Sequence, residues 1–402
     1  MSLSTSRAYM PTHNQRVVLN LVRTEGPISR ADIVRLSGLT FPSVSRIVGE
    51  LIERGLVAEK RQRRGGMGKP PTELEMSPRS AFSVGLDLDR DGLTAVLIDL
   101  AGGVLARERV AFTDLSAAAV VPRMTQATET LLSGQDVSRR LLLGIGVGLP
   151  APLTGGDVGS LPGDKLPGWD DAGVAAALGK AFGCPVLLEN NAAAAAIGER
   201  WYGVGQNLKD FFYVFFGCDV GGGVVLGGRP HVGFRGFSGE FGYIPVQRPG
   251  DMGRALGHGT GRDTGPYAAP GELAKRLAEA GADAADLDGL LAAGHPVVLE
   301  WLDTAAAALA PALVTTEYIL DPEAFVFGGR LPAGLTDALI DRLGECLPRH
   351  RHPAKPYGPR LLRGRTGDDA AAFGAASIPV YRAMTPDPTP DGTYRSAVAQ
   401  GY

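Results

Sequence analysis

Three polar side chains between residues 43 and 46 have the chemistry to contact a nucleic acid. Ser43, Ser45 and Arg46 alternate with apolar positions. The planar guanidinium of Arg46 can donate two hydrogen bonds to the O6 and N7 atoms of guanine, and serine hydroxyls can reach bases or phosphates. These residues predict contacts in the major groove of duplex DNA. The plainer alternative is that they are solvated positions on a small helical bundle.

A basic, glycine-rich segment follows shortly afterwards. Residues 60–71 hold five Lys and Arg side chains, with glycines that let the backbone approach a partner closely. Such a segment suits phosphate contacts and insertion into a minor groove, as in the wing of a winged helix. Its composition alone is more typical of a solvated linker, but its place after residues 43–46 favours the wing. The residues that we expect to contact DNA here are Arg61, Arg63, Arg64 and Lys69.

Two predicted helices precede this polar group. Apolar residues at helical spacing predict a first helix over residues 13–24, which ends at Gly26-Pro27. Ser29 is expected to cap a second helix, because Asp32 follows three residues later as in a capping box. The turn at Ser37-Gly38 is expected to end that helix.

A third predicted helix carries the polar group itself. Thr40 is expected to cap it, and it runs over residues 41–54 with an apolar stripe formed by Val44, Ile47, Val48, Leu51 and Ile52. Two helices joined by a short glycine-containing turn are typical of a helix-turn-helix. The predicted DNA contacts in the helical part are Ser29, Arg30, Thr40, Ser43, Ser45 and Arg46.

The charge is divided unevenly along the chain. The net charge is only −3, but residues 1–79 hold 13 Lys and Arg against 7 Asp and Glu, and the remainder holds 27 against 36. A basic N-terminal module indicates a polyanionic partner, and an acidic body repels one. The contact with nucleic acid is therefore expected to be confined to residues 1–79.

Several classes of protein are disfavoured by the sequence. The first ten residues have no apolar stretch behind a basic start, so we expect no secretory signal. The apolar run over residues 211–228 is interrupted by Asp219 and three glycines, which suits a buried strand better than a membrane span. The three cysteines are widely spaced and form no CxxC pair, which favours a reducing, cytoplasmic location over a disulfide framework.

Beyond residue 80 the pattern changes to apolar strands alternating with alanine-rich helices. Examples of such strands are residues 82–88, 93–99, 142–148 and 185–188. This alternation predicts an α/β architecture in which helices cover sheets, and ligands of such folds bind in crevices.

Six segments of this region, taken in order, resemble the ROK family. That family joins repressors, open reading frames and sugar kinases on a two-lobed, actin-like ATPase fold. The segments resemble its first strand, its GxPGP and LPGW segments, and its ENDANAAA, GEFGH and LxPE...GGG motifs. They are Val84–Leu88, Gly146–Pro152, Leu166–Asp170, Leu188–Ala194, Gly239–Tyr243 and Leu320–Gly329.

The resemblance implies a fold and its domain limits. The expected fold class is α/β, with an N-terminal winged helix-turn-helix over residues 1–79 followed by a two-lobed sugar-kinase-like domain. The first lobe would span residues 80–200, completed by a C-terminal helix at about 366–384, and the second lobe, with a dimerisation surface, would span 201–365. Residues 385–402 are expected to be a disordered tail.

The resemblance also implies which residues contact an effector. By their match to the sugar-binding motifs these are Asn190, Asn191, Glu240 and Tyr243. Amides and carboxylates together can satisfy the donors and acceptors of a polyol. The alternative is that these polar groups only stabilise the fold.

Three departures from the family pattern argue against catalysis and cofactors. Asn191 stands where kinases of the family have the aspartate that accepts the proton of the sugar hydroxyl, and an amide cannot do this. Asp89 and Asp91 stand in the first phosphate loop, where they would repel a triphosphate. Tyr243 replaces a zinc-binding histidine, and residues 244–270 hold no cysteine, so we expect neither ATP nor structural zinc.

The sequence therefore predicts a DNA-binding transcriptional regulator and no enzyme. We expect a repressor of carbohydrate uptake or catabolism genes, controlled by a sugar-like effector between the lobes and acting as a homodimer on a palindromic operator. One alternative is a bifunctional sugar kinase that also binds DNA, which the amide of Asn191 disfavours. The other is an effector-independent repressor whose body only dimerises.

Overall fold

The N-terminal unit is a small helical head with a three-stranded sheet. The computed structural model describes residues 11–61, 72–112, 114–150, 171–234, 236–248, 251–255, 268–355 and 357–385. The helices of the head are α1 (His13–Glu25), α2 (Arg30–Ser37) and α3 (Phe41–Glu53). Its strands are β1 (Ile28–Ser29), β2 (Val57–Arg61) and β3 (Thr72–Met76), paired antiparallel in the order β1-β3-β2. This architecture confirms the predicted winged helix-turn-helix.

Local caps define the ends of the head helices. The Thr12 hydroxyl accepts from the Gln15 backbone and the Gln15 side chain accepts from the Thr12 backbone, which is a capping box. Ser29 accepts from the Asp32 backbone at the start of α2. Gly38, with φ +70°, ends α2 in a left-handed conformation that glycine adopts without strain. The three helices agree with the sequence predictions to within one residue.

The first lobe is built on a five-stranded sheet. Its strands pair in the order β6-β5-β4-β7-β8, with β4 parallel to β7 and β7 parallel to β8. The strands are β4 (Phe82–Asp89), β5 (Gly92–Asp99), β6 (Val104–Ala111), β7 (Leu142–Leu149) and β8 (Val186–Asn190). Helices α4 (Ala117–Gly134) and α5 (Asp171–Phe182) cover one face through a shared apolar cluster.

Two largely buried helices cover the other face of this sheet. They are α6 (Asn191–Tyr202) and, from the far end of the chain, α11 (Ala370–Met384). Gly85 and Gly146 let α11 approach closely: a β-carbon at either position would lie 1.9 Å from a backbone oxygen of α11. The C-terminal helix therefore packs directly on the strands of the first lobe.

The second lobe has a mixed sheet in the order β11-β10-β9-β14-β15. These strands are β9 (Phe211–Phe216), β10 (Val220–Leu226), β11 (Arg229–Pro230), β14 (Ala324–Gly329) and β15 (Arg360–Arg363), and a separate pair is β12 (Pro245–Arg248) and β13 (Asp251–Ala255). The helices are α7 (Pro270–Glu279), α8 (Leu287–Ala292), α9 (Pro296–Leu320) and α10 (Ala333–Cys346). Helix α9 is long and apolar enough to span a membrane, but it lies in the core of this lobe, where its Trp301, Leu309 and Leu313 side chains are fully buried.

Helix α6 connects the two lobes, because it contacts strands of both sheets. Its fully buried Glu199 accepts hydrogen bonds from the backbone of Val204, and from Arg365 and Thr366 on the segment that returns from the second lobe. One carboxylate thus fixes both chain crossings between the lobes.

The head packs on the first lobe through α1. The guanidinium of Arg23 stacks over the Trp201 ring at 3.7 Å and donates to the Trp201 carbonyl. Burial lowers the pKa of Arg23 to about 10. Arg16 donates to the carbonyl of Thr385 just beyond α11. The head is therefore anchored to the end of α6 and to α11, which both belong to the first lobe.

Candidate functional site

The exposed side of α3 carries one strong cation. Arg46 lies with about two thirds of its side chain exposed and forms an ion pair with Glu50 one turn later. Glu50 also accepts from the Gln15 amide at 2.8 Å, and these two hydrogen bonds lower the pKa of its carboxyl. A carboxylate held beside Arg46 opposes its use on a polyanion, so contact with guanine requires Arg46 to leave Glu50.

Four other predicted contacts of the helical part, Ser29, Arg30, Thr40 and Ser43, are already bonded within the head. Thr40 occupies the N-cap position of α3 without capping a backbone amide, because its hydroxyl lies 2.9 Å from that of Ser43. The Ser29 hydroxyl bonds to Asp32, and Arg30 pairs with an exposed glutamate of β2. Ser45 is half-buried on α3.

The basic wing lies mostly beyond what the structure describes. Arg61 is the last residue of β2, and Arg63, Arg64 and Lys69 fall outside the described residues. Their contacts with DNA remain a prediction. Antiparallel pairing of β2 with β3 places the two ends of this segment side by side, which is the geometry of a hairpin wing.

A polar cleft lies between the two lobes, where β8 ends and α6 begins. Polar and charged residues from both lobes line it: Asp89, Arg90, Asn190, Asn191, Asp219 and Glu240. Three of the four predicted effector-binding residues therefore meet here. Tyr243, the fourth, lies half-buried in a short 3-10 helix and is not among the described residues that line the cleft.

The two asparagines have different local roles. Asn190 is the N-cap of α6, and its side-chain oxygen accepts from the backbones of Ala192 and Ala193. Its amide nitrogen is the part left to bond a ligand. Asn191 is 7% exposed and lies across Gly148 from Asp87: a β-carbon at Gly148 would lie 3.3 Å from Asp87 Oδ1 and 3.7 Å from Asn191 Cβ.

Asp87 is an unusual carboxyl beside the cleft. Burial, reinforced by the charge of Asp89, raises the pKa of Asp87 to about 8. Its Oδ1 atom is buried without a hydrogen-bond partner, and the nearest Arg330 nitrogen is 3.9 Å from its Oδ2 atom. The carboxyl is therefore mostly protonated at neutral pH and is a poor proton acceptor.

Ion pairs join the two lobes where the family's phosphate loops are expected. Arg90, in the turn after β4, pairs with Asp219 of the β9–β10 turn at 2.7 Å. Arg330, directly after β14, pairs with Asp91 at 2.6 Å and approaches Asp89 at 3.4 Å. We call these five residues the interlobe ion cluster. Two guanidinium groups and three carboxylates thus pair across the cleft, with one negative charge in excess.

Sequence reasoning missed Arg330. It assigned to Asp89 and Asp91 only repulsion of a triphosphate, whereas Arg330 contacts both carboxylates from the other lobe. Burial disfavours the charged form of Arg330, but the Asp89 and Asp91 carboxylates outweigh it and raise its pKa. A signal was present, since Arg330 follows Gly328-Gly329 where the family motif has a third glycine.

One group of described residues has the spacing of metal ligands. Single ligand atoms of Asp89, Asp91 and Cys218 lie within 4.8 Å of one another. Arg330 already contacts all three, with its Nη1 atom 3.8 Å from Cys218 Sγ. Burial, with the charge of Asp89, raises the pKa of Cys218 to about 12, which disfavours the thiolate that binds metals. His258 of the family's zinc region lies outside the described residues.

Both parts of the chain have relatives among known proteins. Residues 11–66 match the MarR family model and residues 83–380 match the ROK family model. The uncharacterized protein y4fQ of Sinorhizobium fredii is 30% identical over 382 residues, which cover 92% of this chain and 91% of that protein. The xylose repressor of Bacillus subtilis is 26% identical over 234 residues, 58% of this chain and 60% of the repressor.

A solved structure is similar over almost the whole chain. It is the crystal structure of a ROK family transcriptional regulator, a homologue of the E. coli MLC protein. The TM-score is 0.72 at 21% identity, over 93% of this chain and 98% of that one. With a family model that matches 83–380 and a fold shared from head to second lobe, the chain belongs to the ROK family and carries a MarR-type winged helix at its N-terminus.

Proposed function

We propose that the chain is a sugar-responsive, DNA-binding transcriptional repressor of genes for carbohydrate uptake or catabolism. One observation carries the proposal: a basic winged helix is packed on a ROK body whose cleft is lined by amides and carboxylates. A xylose repressor among the relatives supports the same reading. Helix α3 enters the major groove, and the wing contacts phosphates and the minor groove.

The first test asks whether the purified chain selects DNA. Fragments of the source genome would be incubated with it at low ionic strength, and the retained fragments sequenced. We expect recovery of a few sites beside transport or catabolic genes. If the chain retains no duplex DNA under these conditions, the proposal is wrong.

The effector is proposed to bind in the cleft through the Asn190 amide nitrogen, Asn191 and Glu240, with Tyr243 nearby. DNA affinity would be titrated across a panel of sugars and sugar phosphates, and thermal stabilisation measured in parallel. We expect one class of sugar to raise the melting temperature and change DNA affinity. If no member does either, the body serves only to dimerise and the chain is an effector-independent repressor.

We further propose a cytoplasmic homodimer joined through the second lobe, residues 201–365, acting on a palindromic operator. A dimer has two equivalent α3 helices, and two-fold symmetry in the protein calls for two-fold symmetry in the site. Light scattering gives the mass in solution, and the retained DNA sequences give the symmetry. A monomer on asymmetric sites would contradict this proposal.

The absence of phosphotransfer is a separate proposal. Asn191 cannot accept a proton, burial raises the pKa of Asp87 to about 8, and the interlobe ion cluster lies where triphosphate would bind. We therefore propose neither ATP nor structural zinc as a cofactor. A coupled assay of ATP consumption with common hexoses is expected to show no turnover, and Asn191→Asp alone is expected not to restore it. Robust sugar phosphate from the wild-type chain would favour the bifunctional kinase.

A further inference from the structure

The N-terminal end of α3 presents an apolar side chain to solvent. Phe41, the first residue of the helix, is 56% exposed, and no aromatic partner for it lies among the described residues. The buried stripe of α3 consists instead of Val44, Ile47, Val48 and Leu51. Phe41 therefore contributes little to the core of the head. More than half of its side chain is free to be buried by a bound partner.

Around the axis of α3, Phe41 lies about 40° from the predicted contact Ser45 and about 140° from Arg46. At 100° per residue, positions 41, 42, 45 and 46 form a continuous strip beside the buried stripe. Ser45 and Arg46 belong to this strip, and Pro42 is exposed next to Phe41. The first turn of a recognition helix is the part that enters deepest into the major groove.

The charge of the surroundings identifies the partner as DNA rather than protein. The head carries an excess of six positive charges over residues 1–79, and Arg46 lies five residues beyond Phe41 on α3. An aromatic ring on a basic, helical reading surface complements the one apolar group that base edges offer in the major groove, which is the C5 methyl group of thymine.

We infer that Phe41 contacts a thymine methyl group in each half-site and thereby sets sequence specificity. The inference rests on the proposed DNA-binding function. Phe41 and Arg46 are about 7.5 Å apart along the helix axis, or about two base-pair steps. Each half-site is therefore expected to hold a thymine that Phe41 contacts and, about two base pairs away, a guanine that Arg46 contacts.

The test begins with selection of binding sites from random duplexes by the full chain. In the selected duplex, each enriched thymine is then replaced in turn by deoxyuridine, which lacks only the methyl group. At one position per half-site we expect about a threefold to fivefold loss of affinity, the value of one buried methyl group. Phe41→Ala is expected to bind the thymine duplex more weakly and to lose the preference for thymine over deoxyuridine there.

Two controls separate base reading from structural damage. Leu36→Ala removes another exposed apolar side chain of the head, 47% exposed on α2, and is expected to keep the methyl preference. Phe41→Leu retains an apolar contact and is expected to keep part of it. Unchanged melting temperatures would show that the variants fold.

The possible outcomes are distinct. If the wild-type chain binds every deoxyuridine duplex as tightly as the thymine duplex, the inference is wrong, but DNA binding itself stands. A methyl preference that survives in Phe41→Ala assigns the contact to another residue and also overturns it. Failure of the wild-type chain to select any duplex overturns the proposed function itself.

Discussion

At the scale of single residues, the surroundings of two ionisable side chains oppose the role that their type suggests. For Arg46 that role is contact with a polyanion, and for Asp87 it is a negative charge. Glu50 pairs with Arg46 on the exposed side of α3, and burial beside the cleft raises the pKa of Asp87 to about 8. Neither environment follows from residue type. Each can be tested by a substitution that changes one charge and little else.

Replacing Glu50 by Gln is expected to strengthen DNA binding. The substitution frees Arg46 and removes a negative charge from the reading helix, so affinity for the selected duplex should rise about threefold to tenfold at low salt, with a steeper dependence on salt concentration. Fluorescence anisotropy of labelled duplex measures both. Glu53→Gln, a change of equal charge on the same helix, is the control, and an equal gain there would indicate a general charge effect.

Replacing Asp87 by Asn is expected to change how stability depends on pH. The folded pKa of Asp87 is about 8, above that of the unfolded chain, so its contribution to stability is full below the unfolded pKa and is lost as pH rises towards 8. Asp87→Asn removes this loss, at a limiting slope of about 1.4 kcal/mol per pH unit.

Denaturant unfolding at pH 5, 6, 7 and 8 measures this effect. The variant should gain stability relative to wild type steadily from pH 5 to pH 8. A constant difference across this range would mean that Asp87 is ionised in the folded protein.

At the scale of helices and strands, sequence reasoning succeeded where the signals are local. The head helices were predicted to within one residue because Ser29 and Gly38 act within one turn. The sequence marked the position of Arg330 but not its partner, because Arg330 contacts Asp91 across 239 positions. Phe41 was predicted only as a helix start, because exposure depends on how α3 packs.

The close approach of α11 to β7 gives a prediction about one glycine. In Gly146→Ala the new methyl group would meet the Ala375 backbone oxygen, which is part of a helix and cannot move aside alone. We expect a loss of about 1–3 kcal/mol in the free energy of unfolding. Gly134→Ala at the end of α4, where a β-carbon meets open space, is the control and should be neutral or slightly stabilising.

At the scale of the whole molecule, the interlobe ion cluster joins the two lobes across the cleft. Arg330→Gln leaves the Asp89 and Asp91 carboxylates uncompensated, so the second lobe is expected to separate more readily and stability to fall by about 1–3 kcal/mol. The rate at which a thiol reagent labels Cys218, with Cys184 and Cys346 replaced by Ser, reports the opening.

Arg342→Gln is the matched control for that experiment, because Arg342 forms a surface ion pair with Asp303 and no contact with the cleft. It should change neither the labelling rate nor the stability measurably. Equal labelling of Cys218 in Arg330→Gln and wild type would show that other contacts keep the lobes together.

The stack of Arg23 on Trp201 couples the DNA-binding head to the first lobe, so that the head moves with that lobe. In a dimer joined by second lobes, each first lobe then works as a lever arm with the head at its tip. A swing of about 10° on an arm of about 30 Å shifts the tip by about 5 Å, more than one base-pair step. A small rearrangement around a bound sugar would therefore suffice to put the two reading helices out of step with the turns of the double helix.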